Sequence, residues 1–246
     1  MKDEEVSAAP PSETNGLTGN LLVDSLPEVS RERLAPLLKR KVLEPGVTLA
    51  RPGETTVRIF FPVTSVISEY QILRDGRTLE VALTGREGVV GLHAVLGEQP
   101  APNFAESIIR GEAFEASAEE FRELLEEMPR LTSAMFDYLN GYFTQVSHRV
   151  ICSNYHSIEQ RLCLWLLMVR DRTGRDSVEI TQEKLGSVLG AQRPSVTVVT
   201  QEMRDKGMID YDRGVISLLD PGALETGACN CYEDLRLSGV LRAASG

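Results

Sequence analysis

TQEKLGSVLGAQRPSVTVVTQEMRDKG, at residues 181–207, is the most specific local pattern in the chain. It predicts two short helices joined by a tight turn, because apolar residues recur at helical spacing on both sides of Gly190. Gly190 tolerates the left-handed backbone of such a turn, and Pro194 suits the first turn of the second helix. The apolar positions are Leu185, Val188 and Leu189 in the first helix and Val196, Val199 and Met203 in the second.

The second helix leaves polar side chains free to meet a ligand. They are Gln192, Arg193, Ser195, Thr197 and Gln201. The second helix begins with polar side chains led by Arg193, and its apolar face packs on the first helix. A helix placed in this way suits entry into the major groove of DNA. Residues 208–211 and 215–219 add two short strands around Asp212-Arg213-Gly214, which predicts a wing. The stretch therefore predicts a DNA-binding winged helix–turn–helix, with a generic helical hairpin as the alternative.

The overall charge is acidic for a DNA-binding protein, at −10 over 246 residues. Residues 158–220, however, carry nine Lys or Arg against ten Asp or Glu, which is close to neutral. Most of the excess negative charge therefore lies outside the predicted DNA-binding domain. Because affinity depends on where basic side chains lie rather than on their total, the composition is compatible with DNA binding.

Several features of the sequence predict a cytoplasmic protein. No apolar run is long enough to span a membrane. The acidic N-terminus lacks the apolar core of a secretory signal. The cysteines show no disulfide framework, which predicts free thiols in a reducing compartment. They are Cys152, Cys163, Cys229 and Cys231.

The sequence also lacks the motifs of common enzyme classes. It contains no GxSxG, phosphate-binding loop, HExxH or dinucleotide fingerprint. The glycine-rich residues 85–91, GREGVVG, lie in strand-rich sequence without a following Lys-Ser/Thr pair. We therefore expect no catalytic residue and no cofactor, and we predict that the protein is not an enzyme.

The N-terminal half divides into a leader and a strand-rich domain. Residues 1–19 are rich in Pro, Ser, Glu, Gly and Thr and predict a disordered leader. Within residues 20–128, short apolar runs alternate with turn signals, which predicts a small antiparallel barrel or jelly roll with flanking helices. Such a barrel could enclose a small ligand or have a filled core. The turn signals are Leu43-Glu44-Pro45-Gly46, Pro52-Gly53-Glu54 and Asp75-Gly76.

A long helix is predicted over residues 129–156. Its apolar seam consists of Leu131, Met135, Tyr138, Tyr142, Val146 and Val150. A helix of this length with an apolar seam requires a partner helix, which predicts a homodimer. The alternative is an intramolecular core helix. Residues 157–220 then open with a capping box at Ser157 and hold the winged helix–turn–helix. Residues 221–246 predict a loosely ordered tail with a short helix near Leu224.

In this order, the parts resemble the Crp/Fnr superfamily of bacterial transcription regulators over residues 20–219. The resemblance implies an α+β fold with an N-terminal cyclic-nucleotide-binding-like β-roll, a long dimerisation helix and a C-terminal winged helix–turn–helix. It also implies that two recognition helices enter successive major grooves of an inverted repeat. Arg193 matches the arginine that such regulators direct at guanine, while Gln182 and Ser195 match phosphate contacts. Double-stranded DNA, a second copy of the chain and RNA polymerase are the implied partners.

Departures from the family pattern bear on the DNA sequence and on the effector. Pro194 and Val198 occupy positions where family members carry a Glu and a second Arg, so we expect a different DNA site. Gly91-Leu92-His93 and Pro102-Asn103-Phe104 lack the Arg-Ser pair that holds a cyclic phosphate, so we do not expect cyclic AMP as the effector. Another small-molecule effector and an effector-independent regulator both remain open. The absence of cysteine from residues 1–151 argues against the N-terminal iron–sulfur cluster of other members.

Two cysteine and histidine patterns leave alternatives open. His148, Cys152 and His156 recur every four residues and could ligate a metal or haem, although His156 near a predicted helix break is more typical of a hinge. Cys229-Asn230-Cys231 has no predicted partners for a four-ligand site, and a redox-responsive thiol pair is its other interpretation. We assign no metal ligand. A thiol- or metal-responsive regulator, or a small-molecule or protein-binding module without DNA function, remains the alternative.

Overall fold

Two antiparallel sheets that face each other form the N-terminal β-roll. The computed structural model describes residues 18–97 and 99–237. One sheet has the order β1-β7-β3 and the other β2-β6-β4-β5. The strands are β1 (Lys39–Leu43), β2 (Thr48–Ala50), β3 (Arg58–Pro62), β4 (Val66–Ile72), β5 (Thr78–Thr84), β6 (Phe104–Ile109) and β7 (Gly111–Ser117). The predicted jelly roll and the α+β fold class are confirmed.

Short helices pack on the outer face of the first sheet. They are α1 (Leu21–Asp24), α2 (Glu28–Leu34), a 3₁₀ turn (Ala35–Leu37), α3 (Leu92–Leu96) and α4 (Ala118–Glu127). Phe121 of α4 meets Phe61 of β3 edge to face, with ring centroids 5.5 Å apart. Both rings are buried with Leu22 and Leu34, so the helices and the first sheet share one apolar core.

The leader and one predicted turn differ from expectation. Thr18 and Gly19 are fixed by backbone N–H bonds to the Asp24 carboxylate at 2.7 and 2.9 Å, so the disordered leader does not extend to residue 19. Residues 1–17 lie outside the described residues. Asp75-Gly76 does join β4 to β5 as predicted, but only Gly76 has a positive φ. The connection is therefore a longer loop over residues 73–77 rather than a tight two-residue turn.

A long helix, α5 (Pro129–Tyr155), connects the roll to the C-terminal domain. That domain contains α6 (Ile158–Thr173), β8 (Ser177–Glu179), α7 (Gln182–Leu189), α8 (Arg193–Asp205), β9 (Ile209–Asp212) and β10 (Val215–Leu218). Ser157 makes the predicted capping box with Gln160 at the start of α6. The wing sheet has the order β8-β10-β9, so it contains a strand before α7 that the sequence did not predict.

The predicted loosely ordered tail is wrong for the residues that the structure describes. Residues 221–237 fold into α9 (Pro221–Gly227) and α10 (Cys231–Leu237). Asp220 caps α9 by accepting the Ala223 N–H at 2.9 Å, and Leu224 and Leu235 are buried against α5 and α6. Residues 238–246 lie outside the described residues. No helix within the described part of the chain is long and apolar enough to cross a membrane.

Candidate nucleic-acid interface

The turn between α7 and α8 depends on two glycines. Gly190 ends α7 in the left-handed region, with φ of +61°. The N–H of Ala191 returns to the Gly186 carbonyl at 2.9 Å, and a Cβ on Gly186 would lie 2.9 Å from the Ala191 carbonyl oxygen. A side chain at Gly186 would therefore collide with the turn, and one at Gly190 would strain the left-handed backbone and lie 2.8 Å from Leu79 of β5. Buried Leu185 and Val196 complete the contact between α7 and α8.

The predicted DNA-contacting side chains lie on one exposed surface. Gln192, Arg193, Ser195, Thr197 and Gln201 are exposed, and Gln182 of α7 is half-buried beside them. The Thr197 hydroxyl lies 3.0 Å from the Gln182 amide oxygen and 3.0 Å from the Arg193 carbonyl, so it donates to one at a time. The Gln201 amide donates to Asp205 on the same helix at 2.8 Å, which reduces its freedom to contact DNA.

Arg193 is the basic group at the start of α8. Its guanidinium makes no ion pair with any of the residues that the structure describes. It lines a groove between the helix pair and the wing, together with Thr181, Gln182 and Tyr211. Burial raises the pKa of Tyr211, and the nearby Arg193 charge opposes that rise. A free guanidinium in an open groove is suited to a polyanionic ligand.

Sequence reasoning did not single out Arg213, which stands at the tip of the wing. Arg213 and Gly214 have φ of 48° and 85°, so the wing closes with a two-residue turn in which both central residues are left-handed. The register pairs Asp212 with Val215 directly across that turn. The Arg213 side chain is 93% exposed. The sequence pattern that could have indicated this exposed arginine was Arg213-Gly214 between two predicted strands.

The predicted dimer seam on α5 divides between two faces of the helix. Leu131 and Met135 are buried in the core that α5 shares with the roll. The Tyr138 hydroxyl donates to the Val89 carbonyl at 3.0 Å, and its ring lies so close to Gly88 that a Cβ there would be 2.2 Å away. Tyr142 contacts Glu69 of β4. Leu131 and Met135 are almost fully buried and have no surface left for a partner chain, which corrects their assignment to the dimer interface. Half-buried Tyr138 and Tyr142 contact the roll but keep part of their surface open, so their assignment stays a prediction.

A neighbouring face of α5 carries an apolar stripe that is open to solvent. Its members are Phe136, Leu139, Phe143, Val146 and Val150. Phe136, Phe143 and Val150 are 62%, 65% and 60% exposed and recur every seven residues, while Leu139 and Val146 are half-buried between them. A seven-residue repeat of apolar side chains is the pattern that pairs two helices. Val146 and Val150 of the predicted seam belong to this stripe.

Polar side chains hold the helix–turn–helix against the roll. Arg172 of α6 is buried and pairs with Glu87 at 2.8 Å, and it also donates to the Leu83 carbonyl at 2.9 Å. Lys184 of α7 pairs with Glu106 of β6 at 2.7 Å and lies over the Tyr70 ring. The position of the DNA-binding elements therefore depends on contacts with the N-terminal domain.

Arg149 makes a second link between the domains from α5. Its Nε donates to the Glu80 carbonyl at 2.9 Å, and its guanidinium also donates to the Val188 carbonyl at the end of α7. The Glu80 carboxylate lies 3.7 Å from the same guanidinium. One side chain of the long helix thus contacts both the roll and the helix–turn–helix.

Glu69 is a buried carboxyl group between the roll and α5. It is 8% exposed and accepts a hydrogen bond from the Tyr142 hydroxyl. Burial raises the pKa of Glu69 to about 7, and the bond from Tyr142 opposes the rise only in part. The folded chain therefore holds a proton on Glu69 more tightly than the unfolded chain does.

Protonation of Glu69 is expected to make stability depend on pH. Its contribution is fully present below pH 4.5 and is lost as the pH rises through about 7, the folded-state pKa. A shift of this size corresponds to about 3 kcal/mol. Between about pH 5 and about pH 8, Glu69→Gln should therefore lose less unfolding free energy than the wild type, as measured by urea unfolding. Burial also raises the pKa of Glu80, so the difference between the two proteins isolates Glu69. An equal loss in wild type and variant would contradict the expectation, and exposed Glu119→Gln is the control.

The cysteine and histidine patterns combine in a way that the sequence did not predict. Cys152, His156, Cys229 and Cys231 come together, with one potential ligand atom from each lying within 4.8 Å of all the others. We call this set the Cys/His cluster. The expectation that Cys229 and Cys231 lack partners is therefore wrong. His148 is not a member of this set, and its Nδ1 instead lies 4.0 Å from an Asp234 oxygen.

Two family models match the chain. A cyclic nucleotide-binding domain matches residues 40–128, and a Crp-like helix-turn-helix domain matches residues 160–226. The global nitrogen regulator of Synechococcus elongatus is 22% identical over 196 residues, which is 76% of this chain and 88% of that protein. The global nitrogen regulator of Nostoc sp. is 22% identical over 193 residues, which is 75% of this chain and 86% of that protein.

Solved structures resemble the whole arrangement. A transcriptional regulator of the Crp/Fnr family from Eubacterium rectale has a TM-score of 0.66 and 17% identity, over 87% of this chain and 98% of that one. FixK2 from Bradyrhizobium japonicum also has a TM-score of 0.66, with 15% identity, over 78% of this chain and 98% of that one. At these identities the likeness shows the fold alone, with the roll, the long helix and the helix–turn–helix in the same order.

Proposed function

Because the chain belongs to the Crp/Fnr superfamily of transcription regulators, we propose that it acts as a homodimer that binds an inverted-repeat DNA site through two copies of α8. The observation that carries the proposal is the Arg193 guanidinium at the exposed start of α8, which makes no ion pair within the described residues. A guanidinium fork can donate two hydrogen bonds to O6 and N7 of one guanine in the major groove. Arg193 is the proposed base-reading residue.

Other exposed side chains have positioning roles in this proposal. Ser195 and Gln182 contact backbone phosphates on either side of the α7–α8 turn, and Gln192, Thr197 and Gln201 extend the same surface along α8. Arg213 at the wing tip contacts a further phosphate. Contacts of this kind fix the register of the protein on the duplex without selecting its sequence.

The sequence of the DNA site differs from that of relatives with a Glu and a second Arg in the recognition helix. Exposed Pro194 and Val198 occupy those positions. Neither side chain can donate or accept a hydrogen bond, and Val198 can contact only an apolar group such as the thymine methyl. Discrimination in each half-site therefore depends mainly on Arg193.

The apolar stripe of α5 is the proposed dimer interface. Pairing two stripes around a twofold axis buries phenylalanine and valine side chains that are exposed in one chain. The two α8 helices then contact half-sites about 34–36 Å apart, one helical turn of DNA. The stripe lies on the helix that also carries Arg149, so dimer geometry and helix–turn–helix position are coupled.

In this proposal cyclic AMP is not the effector, and the protein acts either with another small molecule or without an effector. The roll presents the buried carboxyl groups of Glu69 and Glu80 toward α5, and the nearby cations Arg149 and Arg172 already pair with Glu80 and Glu87. A cyclic phosphate in this interior would lack a cation of its own. Any effector acts through unequal affinity for two arrangements of the domains. RNA polymerase is the proposed partner on DNA.

The test is selection of bound fragments from random DNA by purified ligand-free protein at two salt concentrations. Enrichment of an inverted repeat, with affinity that falls as salt rises, is the expected result. Weak binding that ignores both sequence and salt would overturn the proposal and favour a protein-binding module. Repeating the selection with cell extract separates that outcome from a requirement for an effector.

Arg193→Ala is expected to lower affinity for the selected site by about 1–3 kcal/mol per half-site and to relax the preference at one base pair. The matched control is Arg204→Ala, because Arg204 lies on the same helix but pairs with Asp210 at 3.1 Å. Titration of labelled DNA that varies at each position measures both effects. Equal weakening on every sequence would show that Arg193 contacts phosphate instead of a base.

A further inference from the structure

The Cys/His cluster joins two distant parts of the chain. Cys152 lies in the last turn of α5, and His156 follows as the residue that caps that helix. Cys229 lies between α9 and α10, and Cys231 is the first residue of α10. Each segment thus contributes a pair, one with the spacing Cys-x₃-His and the other Cys-x-Cys.

Two distances within the cluster match those around a single tetrahedral ion, and all four potential ligand atoms lie within 4.8 Å of one another. The sulfur atoms of Cys152 and Cys229 are 3.6 Å apart, and the Cys231 sulfur is 3.8 Å from His156 Nδ1. Around zinc, with bonds of about 2.3 Å to sulfur and about 2.0–2.1 Å to nitrogen, tetrahedral geometry separates ligand atoms by roughly 3.5–3.8 Å. An iron–sulfur cluster distributes its thiolates over several iron atoms and so holds them farther apart.

The donor set selects the class of metal. Thiolate and imidazole are ligands of zinc and other soft or borderline ions, whereas calcium and magnesium require oxygen. The cluster contains no carboxylate among the residues described. Its cysteines are free and buried, and only His156 is partly open to solvent. Four protein ligands in a closed site are typical of structural zinc rather than catalytic zinc.

We propose that Cys152, His156, Cys229 and Cys231 bind one Zn²⁺ that fixes the C-terminal helices to the end of the long helix. The site lies where α5 ends and α6 begins, one residue before the Ser157 cap. α10 packs against both helices, so the bound ion would hold the junction that sets the position of the helix–turn–helix relative to the dimer helix. The proposal does not depend on which DNA sequence the protein binds.

Metal analysis of the full-length protein, purified without added metal or a histidine tag, is the first test. About one zinc per chain is the expected content. Iron in place of zinc would overturn the assignment of the ion. Less than about a tenth of a zinc per chain, in protein whose thiols are all reduced and which takes up none on addition of Zn²⁺, would overturn the site itself.

Matched variants locate the ligands. Cys231→Ser and His156→Asn should lower zinc content at least about tenfold, whereas Cys163→Ser and His148→Asn should retain it, because those two side chains lie outside the cluster.

If a ligand variant fails to fold, Co²⁺ exchanged into the wild-type protein provides a second measurement. Intense visible absorption with a sulfur-to-cobalt charge-transfer band is expected of a tetrahedral thiolate site. The weak spectrum of octahedral cobalt would overturn the proposal. Neither measurement involves DNA, so its failure is distinct from failure of the proposed function.

Discussion

The Arg172→Met variant is expected to lose about 3–5 kcal/mol of unfolding free energy, because it breaks a buried ion pair and leaves one partner charged. Arg172 is 2% exposed and donates to Glu87 at 2.8 Å, to the Met168 carbonyl at 3.0 Å and to the Leu83 carbonyl at 2.9 Å. The Gln145 amide oxygen lies 3.4 Å away. Without the guanidinium, these four oxygen acceptors all lose the same donor group.

The second variant of this experiment tests the electrostatic origin of the loss. Glu87→Gln together with Arg172→Met should recover part of the stability, because the uncompensated carboxylate is then gone. Urea unfolding at fixed protein concentration measures all three proteins. Arg170→Met is the matched control, since Arg170 pairs with Asp176 at 2.6 Å near the surface of the same helix. A loss below about 1 kcal/mol for Arg172→Met would contradict a role in holding the domains together.

The helix–turn–helix was predictable because its signals are local. Gly190 has the left-handed conformation that its position in the sequence indicated, and Pro194 lies in the first turn of α8. Asp212-Arg213-Gly214 likewise closes the wing with a positive φ at both central residues. In each case the backbone conformation depends on residues within a few positions, so one short stretch of sequence contains the information.

The face of α5 that meets solvent was not predictable in the same way. The helix has one apolar face with Leu131, Met135 and Tyr138 and another with Phe136 and Phe143. Periodicity identifies both faces but does not tell which one contacts the roll. Packing between residues far apart in sequence determines which face contacts the roll. One example is Gly88, which leaves room for the Tyr138 ring. The seven-residue repeat of the stripe was the signal available in the sequence.

The Cys/His cluster was missed for a related reason. Its two halves lie far apart in sequence, and neither half alone has the spacing of a known metal site. They meet only because α9 and α10 pack on the ends of α5 and α6, through buried Leu224 and Leu235. The weak helical pattern of those short elements led us to predict a loose tail. Once α9 and α10 are in place, Cys229 and Cys231 lie beside Cys152 and His156.

Phe143→Glu is expected to convert the dimer to monomer and to weaken binding to an inverted repeat by about 100- to 10,000-fold, since two linked half-site contacts become one. In a parallel pair of helices, the two copies of residue 143 approach each other near the twofold axis. Two carboxylates would then replace two apolar rings at the centre of the interface. Phe143→Leu, which keeps the position apolar, should retain the dimer.

The same substitution should leave the fold of a single chain unchanged, because the Phe143 ring is 65% exposed. Val57→Glu is the matched control: Val57 is 66% exposed but lies on the roll, away from α5, and its variant should remain dimeric and bind DNA normally. Light scattering gives the mass and DNA titration gives the affinity. Tyr138→Asp is unsuitable for this purpose, because the Tyr138 hydroxyl donates to Val89 and its loss would disturb the roll itself. An unchanged dimer mass for Phe143→Glu would show that the stripe is not the interface. A monomer with unchanged DNA affinity would show that dimerisation does not contribute to binding.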